Sequence, residues 1–384
     1  MQAAGPASII AWAGLILLSV PVAATFAVLG ICFPVAGGVS EYARAGFGGA
    51  AAAVTGGWFV AAVIVGAPAV ALIGGFYVAD LTGSGTQVAV GVGIVMYVVV
   101  LLVNALGLRL SSSVQLGLSA LLVGVLAVAI AVALPARGGN NWTPFAPHGW
   151  WAVGTAANIL VWQFFGWEAV AQLAGDFKRP NVDLPRAMAV AFAVIAVLYV
   201  SLAVATIGVS GSSMSRVPLA DLVSVGFGRA GRDATAVLAV VLTMGTMNVY
   251  TGGSAKLVRE LAREGALPSW LGVGERSVPL RPLLLFGCTC VLLLGALAAG
   301  VLNTTDLVRA TSSLFVAVYV VTIAAAVRIL RGPARLLAIA AVVMVAMVAV
   351  FSGVYALVAV AVAAISLAQW SIRPIAGGID RRLT

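Results

Sequence analysis

Long apolar runs, most of them about twenty residues or more, divide the chain, and short polar or basic stretches separate them. A helix needs about twenty apolar residues to cross a hydrocarbon core roughly 30 Å thick. The alternating ten-residue segments of a membrane barrel are missing, so the pattern predicts spanning helices. Eleven are expected, near 7–33, 52–79, 87–107, 113–135, 150–174, 185–209, 234–255, 283–301, 305–328, 333–350 and 353–371. Several exceed the minimum length, which leaves room for tilt or for an internal break.

Composition supports a membrane rather than a soluble chain. Hydrophobic residues make up 62% and charged residues 9% of the 384 residues, and the mean hydropathy is +1.13. A water-soluble domain needs more charge to cover its surface.

The net charge of +9 is read as a loop signal rather than as a nucleic-acid footprint. Alternating the spans puts Arg44, Arg109, Lys178, Arg179, Arg186, Lys256, Arg259, Arg263, Arg276, Arg281, Arg328, Arg331, Arg335, Arg373, Arg381 and Arg382 on one face. Only Arg137, Arg216, Arg229, Arg232 and Arg309 fall on the other. Sixteen against five makes the first face cytoplasmic. The C-terminus is then inside, and the N-terminus as written is outside. The expected location is the plasma membrane, in contact with the lipid bilayer. Cys32, Cys288 and Cys290 lie in or beside apolar segments with neither disulfide nor zinc spacing, and His148 is alone. No cofactor, metal or nucleic-acid partner is expected.

Glu168 is the acidic residue placed well inside a span, in Trp162-Gln163-Phe164-Phe165-Gly166-Trp167-Glu168-Ala169. A glycine between bulky aromatics suits a helix break, which frees backbone groups at membrane depth for a polar ligand. The competing reading is a buried Glu that joins two helices by hydrogen bonds. The seventh span carries Thr243, Met244, Gly245, Thr246, Met247, Asn248, Tyr250 and Thr251. Hydroxyls three apart share a helix face and could ligate sodium or substrate, although such hydroxyls more often bond back to their own helix. Ser312 and Ser313 are weaker candidates. The chain has no H-E-x-x-H, G-x-S-x-G or P-loop pattern, so no enzyme is expected.

Three ordered segments resemble the amino acid–polyamine–organocation (APC) permeases. The first is Phe33-Pro34-Val35-Ala36-Gly37-Gly38-Val39-Ser40-Glu41-Tyr42 with Ala45-Gly46-Phe47-Gly48, similar to the stretch after that family's second helix. The second is Phe164-Phe165-Gly166-Trp167-Glu168-Ala169, then Asp176-Phe177-Lys178-Arg179-Pro180 and Asp183-Leu184-Pro185-Arg186-Ala187, similar to its broken sixth helix and the loop beyond. The third is Asn248 through Leu271, similar to the loop after helix eight. Phe26-Ala27-Val28-Leu29-Gly30 and Val63-Ile64-Val65-Gly66-Ala67-Pro68 resemble bacterial exporters of L-methionine and branched-chain amino acids.

The resemblance implies an all-α polytopic fold of two inverted five-helix repeats plus two helices, working by alternating access. It puts Phe164, Phe165, Gly166 and Trp167 at an amino acid substrate, with Glu168 supporting the break; the polar run of the seventh span adds Asn248 as a candidate substrate contact and Thr243 and Thr246 as possible ion ligands. The family's first helix carries a Gly-Ser/Thr-Gly break, whereas Met1-Gln2-Ala3-Ala4-Gly5-Pro6-Ala7-Ser8 resembles the outer end after that helix. The first helix is therefore expected to be missing from the sequence as given. A misplaced start is favoured over a shortened relative, because half a site would leave core backbone groups unfilled. Span 113–135 lacks the Lys that replaces sodium in some relatives. Proton coupling at Glu168, sodium coupling near Thr243 and Thr246, and uncoupled exchange stay open. The alternatives to a neutral amino acid transporter are a polyamine or cationic amine permease and a non-transporting sensor or scaffold.

Overall fold

The computed structural model describes residues 3–33, 38–107, 112–136, 138–172, 177–211, 215–273 and 278–372. Residues 34–37 of the first motif lie outside them, as do Arg109, Arg137, Asp176, Arg276, Arg373, Arg381 and Arg382.

The described chain is helical with no strand. Its helices are α1 (Ser8–Cys32), α2 (Gly38–Phe47), α3 (Gly49–Leu81), α4 (Thr86–Ala105), α5 (Ser112–Ala133), α6 (Trp151–Leu160), α7 (Trp167–Gln172), α8 (Pro180–Ser210), α9 (Pro218–Arg263), α10 (Leu280–Ala298), α11 (Thr304–Ile329), α12 (Pro333–Val350) and α13 (Ala356–Ile372). Among the described residues ten helical segments are long and apolar enough to cross a membrane. They coincide with ten of the eleven expected spans. The remaining one, near 150–174, is not one helix but α6, a 3₁₀ turn at Val161–Phe164, and the short α7. The seventh span is longer than expected, because α9 runs for 46 residues and bends at Gly228, where φ is 57°.

Helices α3 and α11 are the most buried spans and form the centre of the bundle. α3 packs against α9, α11, α4 and α2, while α1 packs against α8 and α12. Small residues permit the closest approaches. A Cβ on Gly75 of α3 would lie 2.0 Å from the Ala89 carbonyl oxygen of α4, so only glycine fits there. With lipid outside, such backbone proximity replaces the hydrophobic drive that water would supply. Trp58 of α3 donates its indole N–H to the Ala359 carbonyl of α13 at 2.7 Å. In contrast, α5, α12 and α13 turn large apolar side chains outward, among them Leu116, Leu336, Val350 and Leu357, as a lipid-facing surface requires.

These ion pairs each join residues assigned to the same face by the sequence. Arg44 of α2 meets Glu264, just past α9, at 2.5 Å on the face expected to be cytoplasmic. Arg232 of α9 meets Asp80 of α3 at 2.6 Å and Asp221 at 2.8 Å on the face expected to be outer.

Candidate functional site

The break between α6 and α7 begins where the 3₁₀ turn ends in extended backbone at Phe165 (φ −78°, ψ 144°). Gly166 follows with φ +135°, a conformation that L side chains rarely adopt. The chain then re-enters a helix at Trp167. A break at membrane depth exposes backbone groups that need partners, and side chains supply them. The Gly166 N–H donates to Glu168 Oε2 at 2.8 Å and to the Tyr319 hydroxyl at 3.3 Å. Tyr319 of α11 in turn donates to Glu168 Oε2. The Gln163 carbonyl accepts from the Tyr199 hydroxyl of α8 at 3.1 Å. Glu168 is 0% exposed and lies in the first turn of α7, where a helix N-terminus favours negative charge. Its Oε1 has no hydrogen-bond partner among the described residues.

Beside the break lies a cavity of about 390 Å³. One wall is α3, with Ala62, Val63, Gly66 and Ala67; Gly66 faces Thr311 of α11, whose Cγ2 would lie 3.0 Å from a Cβ at that position. A second wall is α9, with Thr246, Met247, Tyr250 and Thr251. The break contributes Trp162, Gln163 and Phe165, and α11 adds Phe315. The Phe165 and Phe315 rings stack with centroids 4.8 Å apart and planes at 27°. None of the lining residues is charged.

The expected site residues separate into three places. Phe165 and Thr246 line the cavity, and Gly166 adjoins it across from the Tyr250 hydroxyl. Phe164 points the other way, into a cluster with Trp12 of α1 (centroids 6.0 Å) and Tyr199 (5.3 Å), and Trp167 is buried in the same core. Asn248 faces α4, where its Oδ1 accepts from Asn104 Nδ2 at 2.8 Å. Thr243 and Thr246 are not brought to one site. The Thr243 hydroxyl bonds the Ala239 carbonyl at 2.7 Å and packs against Gly74, and the Thr246 hydroxyl bonds the Leu242 carbonyl at 3.0 Å. Ser312 and Ser313 are buried and lie outside the cavity lining. Tyr250 and Thr251 stood in the polar run of the seventh span without being singled out. The α3 wall was missed because Ala and Gly carry no chemical signal.

A polytopic helical bundle with a broken helix beside an uncharged central cavity has the architecture of a membrane transporter. The chain belongs to the amino acid permease family, whose pattern it matches over residues 1–374. It is 32% identical over 331 residues to an uncharacterized amino acid permease of Bacillus subtilis, covering 85% of this chain and 78% of that protein. It is 28% identical over 343 residues to the L-methionine/branched-chain amino acid exporter of Escherichia coli, covering 88% and 81%. Over a shorter stretch of 176 residues it is 30% identical to a branched-chain amino acid permease of Bacillus subtilis, covering 43% of this chain and 36% of that protein. It is a multi-pass membrane permease and not an enzyme.

Proposed function

We propose that this permease carries small neutral amino acids with apolar side chains, of the methionine and branched-chain type, across the plasma membrane by alternating access. The observation that carries the reading is the uncharged lining of the cavity beside the break. An unpaired charge in so apolar a space is costly, so a substrate with a charged side chain or a polyamine would find no counter-ion. Glu168 is outside the lining, where its Oε2 accepts from Gly166 and Tyr319. An aliphatic or thioether side chain suits Ala62, Val63, Gly66, Met247 and the stacked Phe165–Phe315 pair, while Gln163, Tyr250 and Thr251 provide polar groups for its amino acid moiety. The similarity to an exporter named for L-methionine and branched-chain amino acids points the same way.

Counterflow of labelled methionine in proteoliposomes tests the proposal without knowledge of the coupling ion. Exchange that leucine inhibits and putrescine does not is the expected result. Inhibition by putrescine alone would replace the neutral substrate by a cationic amine, and silence across a panel of amino acids and amines would end the transport reading.

A further inference from the structure

A second cavity, of about 610 Å³, lies outward of the first, and Ile73 of α3 lines both. Its wall includes Phe76, Thr86, Ser215, Arg216, Asn303 and Thr305, and no acidic residue lines it. Arg216 is held in place without a carboxylate. Its Nη1 donates to the Thr86 hydroxyl at 2.7 Å, and its guanidinium lies 4.8 Å from the Phe76 ring centroid. Of the acids at this outer end, Asp80 and Asp221 are taken by Arg232, Asp233 lies 4.0 Å from Arg229, and Asp306 accepts from the Asn303 N–H and the Tyr355 hydroxyl. Among the described residues no carboxylate pairs with Arg216. Guanidinium carries five N–H donors in a planar fork that matches a carboxylate, and Thr86 uses one.

We propose that this outer vestibule is a docking site for the α-carboxylate of an amino acid, with Arg216 as its anchor and Ile73 between it and the central cavity. The site rests on the amino acid reading only for the ligand it names. A partly solvated guanidinium at a cavity mouth attracts anions and raises their local concentration without holding them tightly. Such a site suits entry or release rather than storage.

The test uses Thr305→Cys at the rim, in intact cells expressing the full chain, with the parent chain and its native Cys32, Cys288 and Cys290 as background. Anionic and cationic membrane-impermeant methanethiosulfonates are compared. Arg216→Gln is expected to lower the anionic-to-cationic rate ratio about fivefold, while Arg216→Lys retains most of it. External methionine and N-acetylmethionine should slow labelling, and methioninamide, which lacks the carboxylate, should not. A rate ratio unchanged by Arg216→Gln, or equal protection by methioninamide, overturns the proposal. Methionine counterflow in the same chain separates the two readings. Carboxylate-specific protection without counterflow keeps the vestibule and removes the transport reading, and counterflow without protection does the reverse.

Discussion

The hydroxyl of Tyr319, in the middle of α11, donates to Glu168 Oε2, the same oxygen that receives the Gly166 N–H across 2.8 Å. One carboxylate oxygen therefore ties the broken segment to the central helix of the bundle, 151 residues away in the chain. The arrangement gives the buried Glu a structural task at the place where an unsatisfied backbone N–H would be most costly. Tyr319 holds its ring by edge contacts with Phe26 at 5.0 Å and Phe165 at 4.9 Å, so Tyr319→Phe removes the hydroxyl and little else. That change is expected to lower stability in detergent by about 1 kcal/mol and to slow counterflow about five- to tenfold. Glu168→Ala leaves the Tyr319 hydroxyl without its acceptor and the Gly166 N–H with only its 3.3 Å contact to Tyr319, and should cost about 1–3 kcal/mol, with Glu168→Gln falling between because its amide keeps one acceptor oxygen. Thermal melting and counterflow on the three variants check the order. A Glu168→Ala protein as stable as the parent would show that the carboxylate does not hold the break.

Adjacent phenylalanines on opposite sides of the break give a second prediction. Phe165 lines the cavity and stacks on Phe315, whereas Phe164 packs with Trp12 and Tyr199. Phe165→Ala should shift selectivity, raising KM for methionine and admitting bulkier side chains such as phenylalanine, with expression preserved. Phe164→Ala empties a buried site between α1 and α8 and should destabilise the protein by about 3–5 kcal/mol without a change in preference. Competition profiles paired with melting curves distinguish the two effects. Equal profiles for both variants would show that the cavity wall is elsewhere.

Much of this was legible beforehand. The spans follow from run length alone, and the break could be read from a glycine set among Phe, Trp and Glu, since no other residue in that segment tolerates φ +135°. What the sequence could not show was direction. Phe164 and Phe165 have the same chemistry, and only the extended turn at Phe165 sends them to opposite sides. The partner of Asn248 is Asn104 on α4, a contact that no local pattern announces. Nor could the hydroxyls of Thr243 and Thr246 be assigned from spacing, because bonding to their own helix satisfies the same groups that ligation would. Ala62 and Gly66 matter by what they leave empty.

Gly66 offers the sharpest test of size selection. A Cβ there would sit 3.0 Å from Thr311 Cγ2 and project across the cavity from its α3 wall. Gly66→Ala should fold, since the neighbour is a side-chain methyl that can yield by a few tenths of an ångström, and it narrows the space by one methyl group. The expected outcome is weaker transport of methionine and leucine, by about tenfold in kcat/KM, with alanine or serine less affected, because one methyl group in a fitted apolar pocket is worth about 1–3 kcal/mol of discrimination. Gly66→Leu should abolish counterflow of the larger substrates altogether. As a control, Gly91→Ala on α4, where a Cβ meets nothing within 4 Å, should leave both expression and preference unchanged. If Gly66→Ala slows every substrate equally, the residue serves the packing of α3 against α11. If it reorders them by size, the wall formed by α3 sets which side chains the permease accepts.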